Sequence, residues 1–216
     1  IATDAGLVSV VVGIDHDTMS ERRRGFINDG GLRGGLKRDE DDKVRNTDVY
    51  GQVSWDISEA WTLIAGVRSS RVRFSTRDYY IVAGNPDDSG RASYSAVNPV
   101  LGAVWRLNDD VNLYAHLGRG FETPTFSELA YRPGGESGLN FALNSSRSRQ
   151  AEVGAKFRLS PRQRFDVALF DIRTDDEIAV DSNVGGRSTF RNVGATQRRG
   201  LESSYRQQFA TAWSTL

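Results

Sequence analysis

Segments whose apolar residues recur at every second position, joined alternately by very short and very long connections, constrain this chain more than any other feature. Trp61, Leu63, Ala65 and Val67 fall on one side of such a segment, against Thr62, Gly66 and Arg68, with Ile64 the apolar exception. Val49, Gly51, Val53, Trp55 and Ile57 oppose Tyr50, Gln52, Ser54 and Asp56 in the same way. Leu101, Ala103, Trp105 and Leu107 oppose Gly102 and Arg106, and Val153, Ala155, Phe157 and Leu159 oppose Glu152, Gly154, Lys156 and Arg158. Side chains alternate across a β-strand, so each segment reads as a strand with one apolar and one polar face. The pattern predicts eight strands, over 7–24, 46–57, 61–77, 94–107, 111–121, 149–159, 164–180 and 188–208, and a ninth beginning at Trp213. Many exceed the five or six residues, roughly, of a globular strand and reach the roughly 9–11 that a tilted strand needs to cross a bilayer.

The connections sort into two kinds. Ser58-Glu59-Ala60, Asn108-Asp109-Asp110, the stretch 160–163 and Ala210-Thr211-Ala212 are tight, whereas 25–45, 78–93, 122–148 and the shorter 181–187 read as polar loops. Short turns at one end and long loops at the other are the asymmetry of an outer-membrane barrel. Aromatic residues flank the tight turns: Trp55 and Trp61, Trp105 on one side of the second, Phe157 and Phe165, Phe209 and Trp213. That placement suits a girdle at a membrane interface. A soluble β-sandwich with core Trp residues is the rival, and it gives no reason for aromatics to gather at one end of the hairpins.

Composition neither supports nor excludes this reading. An apolar fraction of 38% with 26% charged residues suits a soluble domain, but a barrel dilutes its membrane signal with a polar interior face and hydrophilic loops. The longest apolar run, 7–14, is far below the roughly 20 residues of a spanning helix. Twenty-eight basic residues balance 28 acidic ones, which leaves no field favouring nucleic acid, and the lack of Cys removes disulfides and thiolate metal sites. The start Ile1-Ala2-Thr3-Asp4 has neither Met nor a signal segment, so the true beginning is expected to have been removed by processing or truncation.

Candidate chemistry is sparse. His16 lies between Asp15 and Asp17, but the only other histidine, His116, is on a different strand at no ligand spacing, so a polar lumen or rim position is expected. Arg38-Asp39-Glu40-Asp41-Asp42-Lys43 could face a hard cation, yet it lacks the ligand order of a calcium loop and reads as a solvated loop face. Gly30-Gly31-Leu32-Arg33-Gly34-Gly35 lacks the Lys-Ser/Thr ending of a phosphate loop and reads as a mobile loop. No nucleophile elbow or triad order appears, so no enzyme and no cofactor are expected.

The stretch Asn112 to Leu129, NLYAHLGRGFETPTFSEL, followed by Glu152-Val153-Gly154-Ala155-Lys156, Asn192-Val193-Gly194 and Arg199-Gly200-Leu201-Glu202, resembles the barrel of TonB-dependent outer-membrane receptors. Weaker similarity runs through 48–55, 61–67 and Asn98-Pro99. The resemblance implies an all-β fold, with residues 1–216 an antiparallel transmembrane fragment from the middle-to-late part of a barrel of about 22 strands. It further implies a plug domain and a TonB-contacting segment that this sequence lacks, outer-membrane localisation, contact with outer-membrane lipid, and TonB-powered uptake of a ferric siderophore or similar scarce nutrient. A passive porin-type channel and a soluble β-rich binding module are the alternatives.

Two residue sets follow. Arg68, Arg106, Glu152, Lys156, Arg158, Glu202 and Arg206 all fall on the polar face, and the roughly 2–4 kcal/mol cost of a lipid-facing Arg or Lys at mid-membrane favours the lumen for them. Some are expected to pair with the plug. Tyr79, Tyr80, Phe126, Tyr131 and Arg132, in the long loops, are the expected ligand contacts, because aromatics give rigid contact area and Arg grips anionic oxygens.

Overall fold

The computed structural model describes residues 2–3, 6–136, 138–184 and 187–209. β1 (Ala2–Thr3), β2 (Gly6–Asp29), β3 (Leu32–Asp56), β4 (Trp61–Asp78), β5 (Gly90–Asn108), β6 (Val111–Glu122), β7 (Ser146–Ser160) and β8 (Gln163–Asp175) follow one another in the chain. β9 (Ile178–Val184) and β10 (Arg187–Asn192) form a separate hairpin, and β11 (Thr196–Gln207) returns beside β8. The main sheet is antiparallel and open, in the order β1-β2-β3-β4-β5-β6-β7-β8-β11. The expected fourth tight turn at Ala210-Thr211-Ala212 and the ninth strand from Trp213 lie outside the described residues.

Three connections at one end are as short as the sequence predicts, joining β3 to β4, β5 to β6 and β7 to β8. The other end differs from expectation in three places. The segment 25–45 is no loop: β2 and β3 run on to a two-residue turn with Asp29 paired to Leu32. Gly30 (φ 59°) and Gly31 (φ 91°) supply the two positive φ angles that such a hairpin turn requires, and the Asn28 Oδ1 accepts the Gly31 N–H at 2.9 Å. The Gly-rich run is therefore a hairpin tip. Secondly, 164–180 breaks where Asp176 takes φ 56°, which sends the chain out of β8 into β9. Thirdly, 188–208 is interrupted between β10 and β11, where the Val193 N–H bonds to the Glu177 carbonyl at 2.8 Å and Asn192 donates to the carbonyls of Asn144 and Asp176.

Register assigns each side chain to a face. Trp61, Leu63, Ala65 and Val67 of β4 line up with Trp55, Val53 and Gly51 of β3 and with Trp105, Ala103, Leu101 and Pro99 of β5. The alignment carries on through Leu113, Ala115 and Leu117, through Phe157, Ala155 and Val153, and through Phe165, Val167 and Leu169 to Tyr205 and Leu201. This face is called outer. The inner face carries Thr62, Arg68 and Ser70 on β4, Asp48 and Tyr50 on β3, and His116, Glu152 and Lys156 farther along. Three inner glycines accept a neighbouring strand's aromatic ring over them: Gly13 under Tyr50, Gly154 under Tyr114 and Gly200 under Phe170. A Cβ at Gly154 would stand 2.5 Å from the Tyr114 ring, so glycine is what lets the ring lie flat on the sheet.

The buried core lies on the inner face at the loop end. The β6–β7 connection folds back there, and its Leu129, Leu139 and Leu143 pack with Phe74 and Tyr94 of the sheet. The Tyr94 hydroxyl donates to the Leu143 carbonyl at 2.9 Å. Rather than a uniformly polar loop, this connection supplies most of the apolar core, because its few large apolar residues all turn to the sheet.

Candidate functional site

The outer face is layered. At the tight-turn end Trp61 and Trp105 stack with centroids 5.4 Å apart, and Phe157 and Phe165 lie 6.1 Å apart. Above them Val10, Val12, Ile14, Val53, Leu101, Leu117, Val153, Leu169 and Leu201 are exposed, Val12 at 78%. Exposed apolar area on this scale marks a surface that meets something other than water. From Trp105 to Val97 the apolar stretch of β5 runs about 27 Å along the strand, and tilt shortens that to about 20 Å, near the roughly 25 Å height of an apolar barrel girdle. Beyond it the outer residues turn polar: His16, Thr47, Ser69, Arg71 and Arg73. His16 therefore sits on the outer rim, where its Nδ1 is 2.9 Å from the Thr47 hydroxyl, while His116 is on the inner face. Among the described residues no three His, Cys, Asp or Glu side chains stand together to hold a metal.

Register places Arg68, Arg106, Glu152, Lys156, Arg158, Glu202 and Arg206 together on the inner face, but not in one cluster. Arg68 bonds to the buried Asp48 and lies 3.5 Å from Asp15. Glu152 accepts the Tyr114 hydroxyl at 2.7 Å, and the Lys156 ammonium is 5.2 Å from the centre of the same ring. Arg106 and Arg158 belong to the tight-turn end, where Arg106 lies 3.8 Å from Asp56 and Arg158 bonds Asp110 at 3.0 Å. Glu202 and Arg206 make no ion pair among the described residues and are exposed on β11.

At the loop end the inner face becomes a mouth. Strand alternation turns Glu40 and Asp42 inward and Asp39 and Asp41 outward, so the acidic run is half-buried strand and not the solvated loop expected from its charge. Glu40, Asp42, Asp78 and Asp88 are all under 9% exposed. The Thr76 hydroxyl donates to Asp42 at 2.5 Å, Asp78 accepts the Tyr80 N–H at 2.8 Å, and Asp88 lies 3.0 Å from the Arg132 guanidinium. Arg23 is 3.2 Å and Arg38 3.6 Å from the Glu40 Oε1. Burial pushes the Glu40 carboxyl above its ordinary range, with Arg38 opposing. On the outside the Arg22 hydrogen bond holds Asp39 below it. Glu40, Asp78 and Asp88, with Arg23, Arg38, Tyr80, Tyr131 and Arg187, line a cavity of about 440 Å³.

The five expected ligand contacts divide. Tyr80 and Tyr131 line this cavity, the Tyr131 ring lying 5.2 Å from both the Arg38 and the Arg187 guanidinium, and Arg132 reaches its Asp88 wall. Tyr79 points elsewhere: its hydroxyl donates to the outer Asp41 at 2.9 Å and Arg22 lies 4.6 Å over its ring. Phe126 is a packing residue, edge-on to Phe74 at 5.0 Å. It opens a four-residue helical turn, α1 (Phe126–Leu129), capped reciprocally by Thr125 and Glu128. Sequence reading did not offer Arg23, Arg38, Glu40 or Arg187 as ligand contacts: Arg38, Glu40 and Arg187 lie on strands taken for loop, and Arg23 lies on a strand expected to end one residue beyond it. The mirrored order of Glu21-Arg22-Arg23-Arg24 and Asp39-Glu40-Asp41-Asp42 about Gly30-Gly31 was the available signal.

An open antiparallel sheet with a girdled apolar outer face and a loop-filled inner mouth is the wall of a membrane β-barrel, and the chain belongs to the TonB dependent receptor-like β-barrel family, whose model matches residues 3–216. The pesticin receptor of Yersinia enterocolitica is 27% identical over 172 residues, covering 77% of this chain and 24% of that protein. This chain thus spans about a quarter of the curated relatives it matches. Among solved structures, the copper transporter OprC superposes with a TM-score of 0.74 at 19% identity, over 94% of this chain and 33% of that one. The siderophore receptor PiuA from Acinetobacter baumannii gives 0.74 at 14%, over 97% and 34%. Equal likeness to a copper transporter and a siderophore receptor shows that the fold is shared whatever the cargo.

Proposed function

We propose that this chain forms part of the barrel of a TonB-dependent outer-membrane receptor that takes up a ferric siderophore or a similar scarce nutrient. The observation that carries the reading is the layered outer face, aromatic then apolar then polar, held in register across eight paired strands from β2 to β11. The family membership supports receptor function over catalysis. Among the described residues the sheet keeps two open edges, which suits a wall that is part of a larger barrel, and the family resemblance suggests about 22 strands. A plug inside that barrel and a TonB-contacting segment outside this sequence would couple uptake to inner-membrane energy. Bound ligand leaves a tight external site only if that coupling changes its relative affinity for the two states.

The mouth cavity is the ligand contact we favour, with Tyr80, Tyr131 and Arg132 as the residues to test. In cells expressing the complete protein, Tyr131→Ala with Arg132→Ala should reduce uptake of labelled ferric siderophores at least tenfold while surface display persists. Undiminished, TonB-independent uptake would favour a passive channel instead. Glu152→Lys tests the inner-face pairing: if Glu152 meets the plug, reversal should expose the plug to protease.

A further inference from the structure

The mouth cavity has two kinds of charged wall. Arg23, Arg24, Lys37, Arg38 and Arg187 give it a cationic side, and Lys37 has no carboxylate within ion-pair distance among the described residues. Glu40, Asp78 and Asp88 form the acidic side. Asp78 is engaged by the chain's own backbone, accepting the Tyr80 N–H at 2.8 Å on one oxygen and the Asp88 N–H at 3.2 Å on the other. The other two carboxylates differ: the Glu40 Oε1 and the Asp88 Oδ1 are buried and accept no hydrogen bond among the described residues. Arg23 and Arg38 stand 3.2 and 3.6 Å from the first oxygen and Arg132 3.0 Å from the second, balancing charge without hydrogen-bond geometry. Gly138 keeps the Asp88 oxygen uncrowded, since a Cβ there would come within 2.6 Å of it. A buried acceptor that no donor answers is costly, and both of these face the cavity.

We infer that the mouth selects a hydroxylated carboxylate, a ligand whose acid groups meet the cationic side and whose free hydroxyls answer Glu40 and Asp88. Guanidinium groups pair with carboxylate oxygens through parallel N–H donors. An acid group in the cavity draws Arg23 and Arg38 forward, off the Glu40 Oε1, and a hydroxyl on a neighbouring carbon takes their place on it. An ammonium would also donate to Glu40, but it would add charge to a wall that is already cationic, so a neutral donor fits better. The Tyr80 and Tyr131 rings give flat faces on which the C–H groups of a polyol pack. This choice of ligand rests on the mouth being the ligand site, as proposed above, and assigns the selection to its acidic wall rather than to its arginines.

The test is isothermal titration of the complete protein in detergent micelles with three probes: D-glucarate, adipate, which is the same dicarboxylate chain without hydroxyls, and sorbitol, which is the hydroxylated chain without acid groups. D-Glucarate should bind roughly tenfold or more tightly than either of the others. E40M/D88A should bring the glucarate-to-adipate ratio close to one, because glucarate loses its acceptors while adipate gains the released Arg23, Arg38 and Arg132. Lack of glucarate binding at millimolar concentration, equal binding of glucarate and adipate, or an advantage that survives in E40M/D88A would overturn the inference. The first two outcomes are read on the unsubstituted protein, so they decide even if that variant fails to fold. Tyr131→Ala with Arg132→Ala separates the two claims. Equal glucarate and adipate binding that this variant abolishes keeps the mouth as ligand site and removes only the hydroxyl preference. Siderophore uptake and probe binding both untouched by it would remove the mouth reading as well.

Discussion

Leu129 shows how one side chain decides whether the mouth stays closed over the sheet. It is fully buried beside Phe74, Leu139 and Leu143, so Leu129→Ala should cost about 2–5 kcal/mol. The loss should fall on the 123–145 connection, seen as faster amide exchange there while the β3–β4 ladder keeps its protection. Glu40 makes a pH prediction of definite sign. Its carboxyl is raised by burial, so the folded mouth holds a proton that the unfolded chain gives up between the ordinary and the raised value. Stability of the mouth should therefore fall as pH rises through that window, and Glu40→Gln should flatten the dependence in exchange measurements from pH 4 to 7. Asp39, lowered by Arg22, works in the opposite sense, its contribution being lost as pH falls through its depressed value. Gly154→Ala should push the Tyr114 ring off the sheet and break its bond to Glu152, which the tyrosine's absorbance would report.

The β2–β3 hairpin is the element that sequence reading handled worst, and the reason is physical. Strands 46–57, 61–77 and 111–121 were legible because over 49–57, 61–67 and 111–117 their outer residues are apolar, so hydropathy alternates there. Over 25–45 the pairing is held by charges: Arg22 against Asp39 and Asp41, Arg23 against Glu40. Both faces are polar there and hydropathy has no period to show. Likewise the break after Asp175 depends on a positive φ at Asp176, which composition does not announce. For the candidate site, Tyr80, Tyr131 and Arg132 were legible as loop residues, but Phe126 was not separable from them, since an exposed aromatic and a packed one have the same letter. The turn itself is testable. Nothing lies within 4 Å of a Cβ built on Gly30 or Gly31, so Gly31→Val should cost only the left-handed backbone, about 1–2 kcal/mol, and raise proteolysis at the tip. Gly30→Asn should be tolerated.

As a whole the molecule is a curtain with two surfaces that want different solvents. Among the described residues nothing covers Val12, Ile14, Leu117 and Leu201, and the two sheet edges have unpaired backbone groups. The isolated chain should accordingly sediment as aggregate in water and disperse only in detergent; a monodisperse, cooperatively unfolding monomer in plain buffer would argue for a soluble β-rich module.

The most direct test of the central claim places single cysteines at each position from 61 to 73, a stretch free of native Cys, in a cysteine-free background of the complete protein in lipid vesicles. Spin labels at 61, 63, 65 and 67 should collide with lipid-soluble oxygen, and those at 62, 64, 66, 68 and 70 with a water-soluble relaxer, the outer set losing its lipid contact from 69 onward. Absence of that two-residue alternation, or lipid contact at the even positions, would contradict the reading of this sheet as the wall of a membrane barrel.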